Sequence, residues 1–140
     1  MKLINRNTNY AIRSLIYIAK TKKVVTVPEL VRSLHIPKAL LRRIMQILSR
    51  CNILKSLKGK NGGFLLNRSP DRISVMDVAK IFQGDIKSVN CIFKGGTCSN
   101  IRHCLIKDKG GKIEKDIGHW LKSISISLLA RTAKNKSCHF

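Results

Sequence analysis

The residues best suited to chemistry are three cysteines, Cys91, Cys98 and Cys104, all within the fifteen residues 90–104 (NCIFKGGTCSNIRHC). Gly95-Gly96 stands between the first two, and a turn there lets the segment fold back and converge three thiolates on one point. Thiolates bind iron–sulfur clusters and zinc, and in pairs they form redox switches. No Cys-x-x-Cys pair is present, so the spacing alone leaves open a cluster, a structural zinc, a thiol switch or three unrelated buried thiols. Of the other two cysteines, Cys51 continues an apolar helical stripe and reads as packed core. Cys138, beside His139, is a remote candidate for an additional ligand. His35 and His119 read as structural or surface residues.

These thiols belong to a strongly basic chain. Its 140 residues carry 28 Lys+Arg against 7 Asp+Glu, a formal charge of +21. Such an excess draws polyanions and speeds their association. Nucleic acid is the expected partner, with an anionic membrane surface as the alternative. A hydrophobic fraction of 44% is enough for a core. There is no run of about 18 apolar residues, so no membrane span is expected. The first twenty residues are broken by Arg13 and lack a small-residue cleavage site, and they read as an amphipathic helix rather than a signal peptide. Five cysteines without a secretion signal point to a reducing, cytoplasmic setting. No Ser/His/Asp grouping, phosphate loop or dinucleotide glycine pattern occurs, and the few acids are scattered, so the chain is not expected to be an enzyme.

The elements that must position the thiols can be read in order. Over residues 8–20, Ala11, Leu15, Ile18 and Ala19 recur at helical spacing, widened by Ile12 and Ile16. Thr26, Pro28 and Glu29 mark a helix start, with Thr26 capping an amide and Glu29 reaching back. That helix is short and ends near Leu34, because Pro37 disfavours a helical Ile36. A second helix over residues 38–50 turns Leu41, Ile44 and Leu48 inward, with Leu40 and Ile47 beside them. Arg42, Arg43, Gln46 and Arg50 fall largely on its other side. Two short helices around a tight turn, the second basic on its outer face, make a helix-turn-helix. Apolar runs on either side of Asn61-Gly62 then predict a β-hairpin whose tip carries Lys58 and Lys60: a wing. Ser74 and Asp77 open another helix, ending by Gly84. After the cysteines, Ile113, Ile117, Trp120, Leu121, Ile124 and Leu128 form a stripe through residues 113–129, of the kind that meets its equivalent in a second subunit.

The expected fold is therefore mainly α with a small β-hairpin, a winged helix-turn-helix followed by a long C-terminal dimerisation helix. Residues 1–84 form the DNA-binding domain. Residues 85–140 form the cysteine loop, the dimerisation helix and a mobile basic tail. Arg42, Arg43 and Gln46 are candidates for base edges, since Arg pairs two-pronged with guanine and Gln with adenine. Lys38, Lys58 and Lys60 are candidates for phosphates.

Four stretches carry a family resemblance: Asn9-Tyr10-Ala11-Ile12-Arg13, the second helix of the helix-turn-helix, the wing with Gly59-x-x-Gly62-Gly63-Phe64, and the cysteine loop. Together they resemble the Rrf-two family of winged-helix transcription regulators, in its iron–sulfur branch (IscR-, NsrR- and RirA-like). The resemblance covers nearly the whole chain. It implies a homodimer on a double-stranded DNA operator with two-fold symmetry. It also implies a two-iron or four-iron cluster on Cys91, Cys98 and Cys104 that senses iron, cluster supply, redox state or nitric oxide, in a regulator that acts as a repressor. Family members that complete the cluster with Asp before the first-helix tyrosine, or with His after the last cysteine, differ from this chain, which has Asn9 and Lys107 there. Asn9, His103 and Asp108 are the candidates for the fourth position. The alternatives are a cluster-free regulator of the same fold under thiol or partner control, and a basic nucleic-acid-binding module with a structural zinc.

Overall fold

A computed structural model describes residues 3–84 and 104–133, with backbone only at 106–108. The segment 85–103, which includes Cys91, Cys98, Gly95-Gly96 and His103, and the tail beyond Ala133 lie outside the described residues.

The first helix, α1 (Arg6–Thr21), starts where the Thr8 amide donates to the Asn5 side chain at 2.8 Å. It stops at Lys22, which takes a left-handed conformation (φ 53°) while its amide donates to the Ile18 carbonyl. Ala11, Ile12, Leu15 and Ile18 are buried along one stripe, so the helical spacing of these residues becomes the centre of the core.

The next helix, α2 (Val27–Leu34), is capped as expected by the Thr26 hydroxyl, which accepts from the Glu29 amide. Glu29 does not close the reciprocal bond. Its carboxylate instead accepts from the Tyr17 hydroxyl of α1 at 3.1 Å, because a partner on a packed helix is available to it. His35 (φ 54°) ends α2 in a left-handed turn. Ile36, 1% exposed, plugs the turn into the core, and Pro37 leads into α3 (Lys38–Arg50). Leu41, Ile44, Met45 and Leu48 of α3 are buried, with Leu40 and Ile47 half-buried. The helix ends at Cys51, and Asn52 (φ 56°) reverses the chain. Cys51 is exposed, which corrects the reading of it as core: the stripe ends with the helix, and the last residue turns outward.

The wing pairs β1 (Leu54–Leu57) with β2 (Gly63–Leu66) antiparallel, Leu54 opposite Leu66 and Leu57 opposite Gly63. Its connection is residues 58–62 and not a two-residue Asn-Gly turn. Gly59 supplies the positive φ (106°), and the Gly62 amide closes back on the Gly59 carbonyl at 3.0 Å. Val25 bridges to the outer side of β2, exchanging backbone bonds of 2.9 and 2.8 Å with Phe64. This contact brings backbones close. A Cβ on Gly63 would sit 2.6 Å from the Val25 carbonyl oxygen.

A 3₁₀ turn at Pro70–Arg72 precedes α4 (Val75–Gln83), which opens on a capping box. The Asp77 amide donates to the Ser74 hydroxyl, and the Ser74 amide donates to the Asp77 carboxylate. The C-terminal part is two helices, α5 (Leu105–Ser123) and α6 (Ile126–Thr132). The apolar stripe expected through residues 113–129 is broken at Ile124-Ser125. There the chain crosses the start of α4, with Val75 N–H on the Ile124 carbonyl and Ile126 N–H on the Ile73 carbonyl. Ser125 caps α6 through the Leu128 amide. Leu121 and Ile126 are buried in the same core as α1, and α6 packs along α1. Lys20 bonds the carbonyl of Ala133. Asp71 is tied to α6 by the Ser127 hydroxyl, with further bonds to Ser69 and an ion pair to Arg131, which hold its carboxyl below the usual range.

Two substitutions test this reading. Gly63→Ala is expected to lower unfolding stability by about 1–3 kcal/mol, since the Val25 backbone must move aside. Ser74→Ala should cost about 1 kcal/mol through loss of the α4 cap. Urea unfolding followed by circular dichroism measures both, and an unchanged midpoint in either variant would remove the corresponding contact from the account.

Candidate nucleic-acid interface

With Leu41, Ile44, Met45 and Leu48 fixed in the core, helical geometry forces the remaining side of α3 outward. Ala39, Arg42, Arg43, Gln46 and Arg50 are all exposed there, at spacings of three and four. The expected Arg42, Arg43 and Gln46 therefore share one surface. Arg50 lies on it as its spacing implies, and Ala39 also belongs to it; sequence reasoning missed Ala39, although the same spacing from Arg42 and Arg43 marks it. Lys38 is exposed in the first turn of α3. Pro37 gives that turn no side-chain cap, which leaves its amides free for an anion.

The wing continues the basic surface. It follows α3 after three residues, packs against it, and exposes Lys58, Gly59, Lys60 and Asn61 at its tip. Electrostatically the region is one-sided. Between Glu29 and Asp71 the chain carries Arg32, Lys38, Arg42, Arg43, Arg50, Lys55, Lys58, Lys60 and Arg68, and no acid. An exposed helix face of arginines and glutamine can reach base edges, while lysines on flexible stems track phosphates.

The metal-site candidates divide differently. Cys104 is half-buried and sits at the N-cap of α5, where free amides stabilise negative charge. Cys91 and Cys98 lie outside the described residues, as does His103, and the side chain of Asp108 is not described. Asn9 is half-buried on α1. Among the described residues no three potential ligands come together. The donor set fits a thiolate-bound group in chemistry, and Cys104 is accessible enough to join one.

On α5 the apolar residues differ in burial. Leu121 is buried and Ile117 half-buried against the core, whereas Leu105 (73%), Ile113 (58%) and Trp120 (57%) are exposed within one arc of the helix. Among the described residues no helix is long and apolar enough to cross a membrane.

Comparison with known proteins fits this arrangement. A regulator of Aquifex aeolicus described as HTH-type is 28% identical over 127 residues, covering 89% of this chain and 88% of that protein. Two solved structures share the fold. IscR of T. potens has a TM-score of 0.76 at 20% identity, covering 98% of this chain and 93% of its own. CymR of B. subtilis, named the global cysteine regulator of that organism, has a TM-score of 0.75 at 18% identity, covering 96% and 100%. The Rrf2 (Rrf-two) family, described as iron-dependent transcriptional regulators, matches residues 4–132. The chain belongs to the Rrf2 family, whose members are transcriptional regulators and not enzymes.

Proposed function

We propose that this protein is a cluster-responsive transcription repressor that binds a two-fold DNA operator as a homodimer. The observation that carries the DNA reading is the acid-free basic surface shared by α3 and the wing. Arg42, Arg43 and Gln46 read base edges in the major groove. Lys38, with the uncapped first turn of α3, holds a phosphate, and Lys58 and Lys60 run along the backbone beside it. The exposed stripe of Leu105, Ile113 and Trp120 is too apolar to leave in water on a helix that also carries charge, and a second copy covers it.

Cys91, Cys98 and Cys104 hold the iron–sulfur cluster, with the fourth position filled by a residue other than cysteine or left open. The group supplies a reactive iron site that oxidants or small molecules can attack. Cys104, at the N-cap of α5, would link such a group to the helix, so that binding or losing it would bias a two-state arrangement of the dimer.

Anaerobic reconstitution with iron and sulfide tests the cluster. The wild-type chain should gain charge-transfer absorption and bound sulfide, and Cys104→Ala should lose most of both. A colourless protein without sulfide would instead favour the same fold under thiol control. On DNA, Arg43→Ala should cost about 1–3 kcal/mol of specific binding and relax preference at one base pair. Lys58→Ala should weaken all duplexes alike and reduce the slope of log K against log salt by about 0.9. Fluorescence anisotropy over a salt series separates the two; identical behaviour of the variants would contradict the assigned division of roles.

A further inference from the structure

Two side chains of α1 grip α2 at its opposite ends. The Tyr17 hydroxyl donates to Glu29 in the first turn at 3.1 Å, and Arg13 Nη2 donates to the carbonyl of Leu34, the last residue, at 3.3 Å. Arg13 and Tyr17 stand four residues apart and so share one face of α1. Both are half-buried.

The helix they hold has little else to fix it. It is eight residues long, and Leu30 is its one fully buried side chain; Val27, Val31 and Leu34 are partly buried. A helix of that length does not hold itself in water. With one fully buried anchor near its centre and only partial burial at its ends, it resists tilting weakly, whereas bonds at the two ends oppose tilting with the longest lever. The guanidinium also meets the negative end of the helix, where carbonyls lack partners.

We propose that Arg13 and Tyr17 are positioning residues for operator recognition. They set the orientation of α2, and through the three-residue turn at His35, Ile36 and Pro37 that of the outward face of α3, without touching DNA. The inference rests on the DNA-binding reading above. Its magnitude follows from geometry. α3 spans about 20 Å, so a pivot of about 5° at the turn moves its far end by about 2 Å. Two-pronged base contacts fail over such a distance, while lysines on flexible stems follow it to the phosphates. Loosening the clamp therefore damages base reading and spares non-specific affinity.

The test uses the full chain as wild type, Arg13→Met, Arg13→Lys and Tyr17→Phe. The probes are a duplex enriched by the wild-type protein from a random-sequence pool and a scrambled duplex of the same composition. Affinity is measured over a salt series, well below each unfolding midpoint. Arg13→Met should lower the preference for the enriched duplex about tenfold and Tyr17→Phe about fivefold, in line with lost charged and neutral hydrogen bonds. Binding to the scrambled duplex and the salt slope should stay unchanged, and Arg13→Lys should keep most of the preference. An unchanged preference in both Arg13→Met and Tyr17→Phe overturns the proposal. So does an equal loss on both duplexes with a shallower slope, which would make Arg13 a phosphate contact. If Arg13→Met does not fold, Tyr17→Phe decides alone, since it removes one oxygen atom. A wild-type protein with no preference between the duplexes defeats the DNA reading itself, and the clamp with it.

Discussion

Because Ala11, Leu15 and Ile18 of α1 are shut off from solvent at the centre of the molecule, the other elements have to pack on that helix. α2, α3, α4, α6 and β2 all contact it. Each fully buried leucine or isoleucine contributes about 1.5–3 kcal/mol, so the stripe on α1 is the largest common support for both the DNA-facing and the C-terminal parts. Two hydroxyls drawn into this core find partners by different routes, one within its own helix and one far along the chain. Ser14 returns its hydroxyl to the Tyr10 carbonyl, and Thr8 bonds Gln83, whose amide in turn holds the Leu3 carbonyl. The last pair ties the start of α1 to the end of α4, so the N-terminal residues are fixed by a long-range contact and not only by helix propensity.

Much of this was legible in the sequence, for identifiable reasons. Helical periodicity marks residues whose burial is set by a single helix, and α1 and α3 appear where it puts them. Capping chemistry is local, so Thr26 and Ser74 start helices as their types imply. The failures came where a distant partner decided the outcome. Glu29 has the right position for a reciprocal cap, yet Tyr17 captures it from another helix. The stripe from Ile113 to Leu128 keeps its spacing across a break because Ile124 is claimed by the backbone of Val75. Spacing also assigns Ile113 and Trp120 the same standing as Leu121, although they are exposed and Leu121 is buried. The wing's connection follows Gly59 and not Asn61-Gly62, because pairing with Val25 sets where β2 must begin.

The candidate site shows the same division. Exposure of Arg42, Arg43, Gln46, Lys38, Lys58 and Lys60 follows from patterns inside single elements, so sequence suffices to find them. Convergence of three thiols is a property of a whole segment's path, and periodicity says nothing about such a path. Cys51 illustrates the limit on a smaller scale. Its place in the helical stripe points inward, and only the end of the helix, one residue earlier, turns it to solvent.

The charge pattern raises a further question of how a surface so basic reads sequence at all. Nine cations and no acid between Glu29 and Asp71 attract any polyanion, and counterion release supplies that attraction without regard to base order. Discrimination must then come from geometry. α3 has four fully buried side chains to fix its rotation about its own axis, but α2, which it packs against, has one. More apolar burial on α2 would need larger side chains on a helix of only eight residues. Polar contacts to α1 avoid that need, because hydrogen bonds are directional and hold an angle with little added surface. Glu29, the acid that bounds the basic stretch, is thus engaged by Tyr17 away from the surface it would otherwise oppose. Its neighbour in function, Arg13, spends its charge on a carbonyl and not on a phosphate. On the proposed reading charge brings the duplex in, and two half-buried hydrogen bonds hold the angle at which it is read.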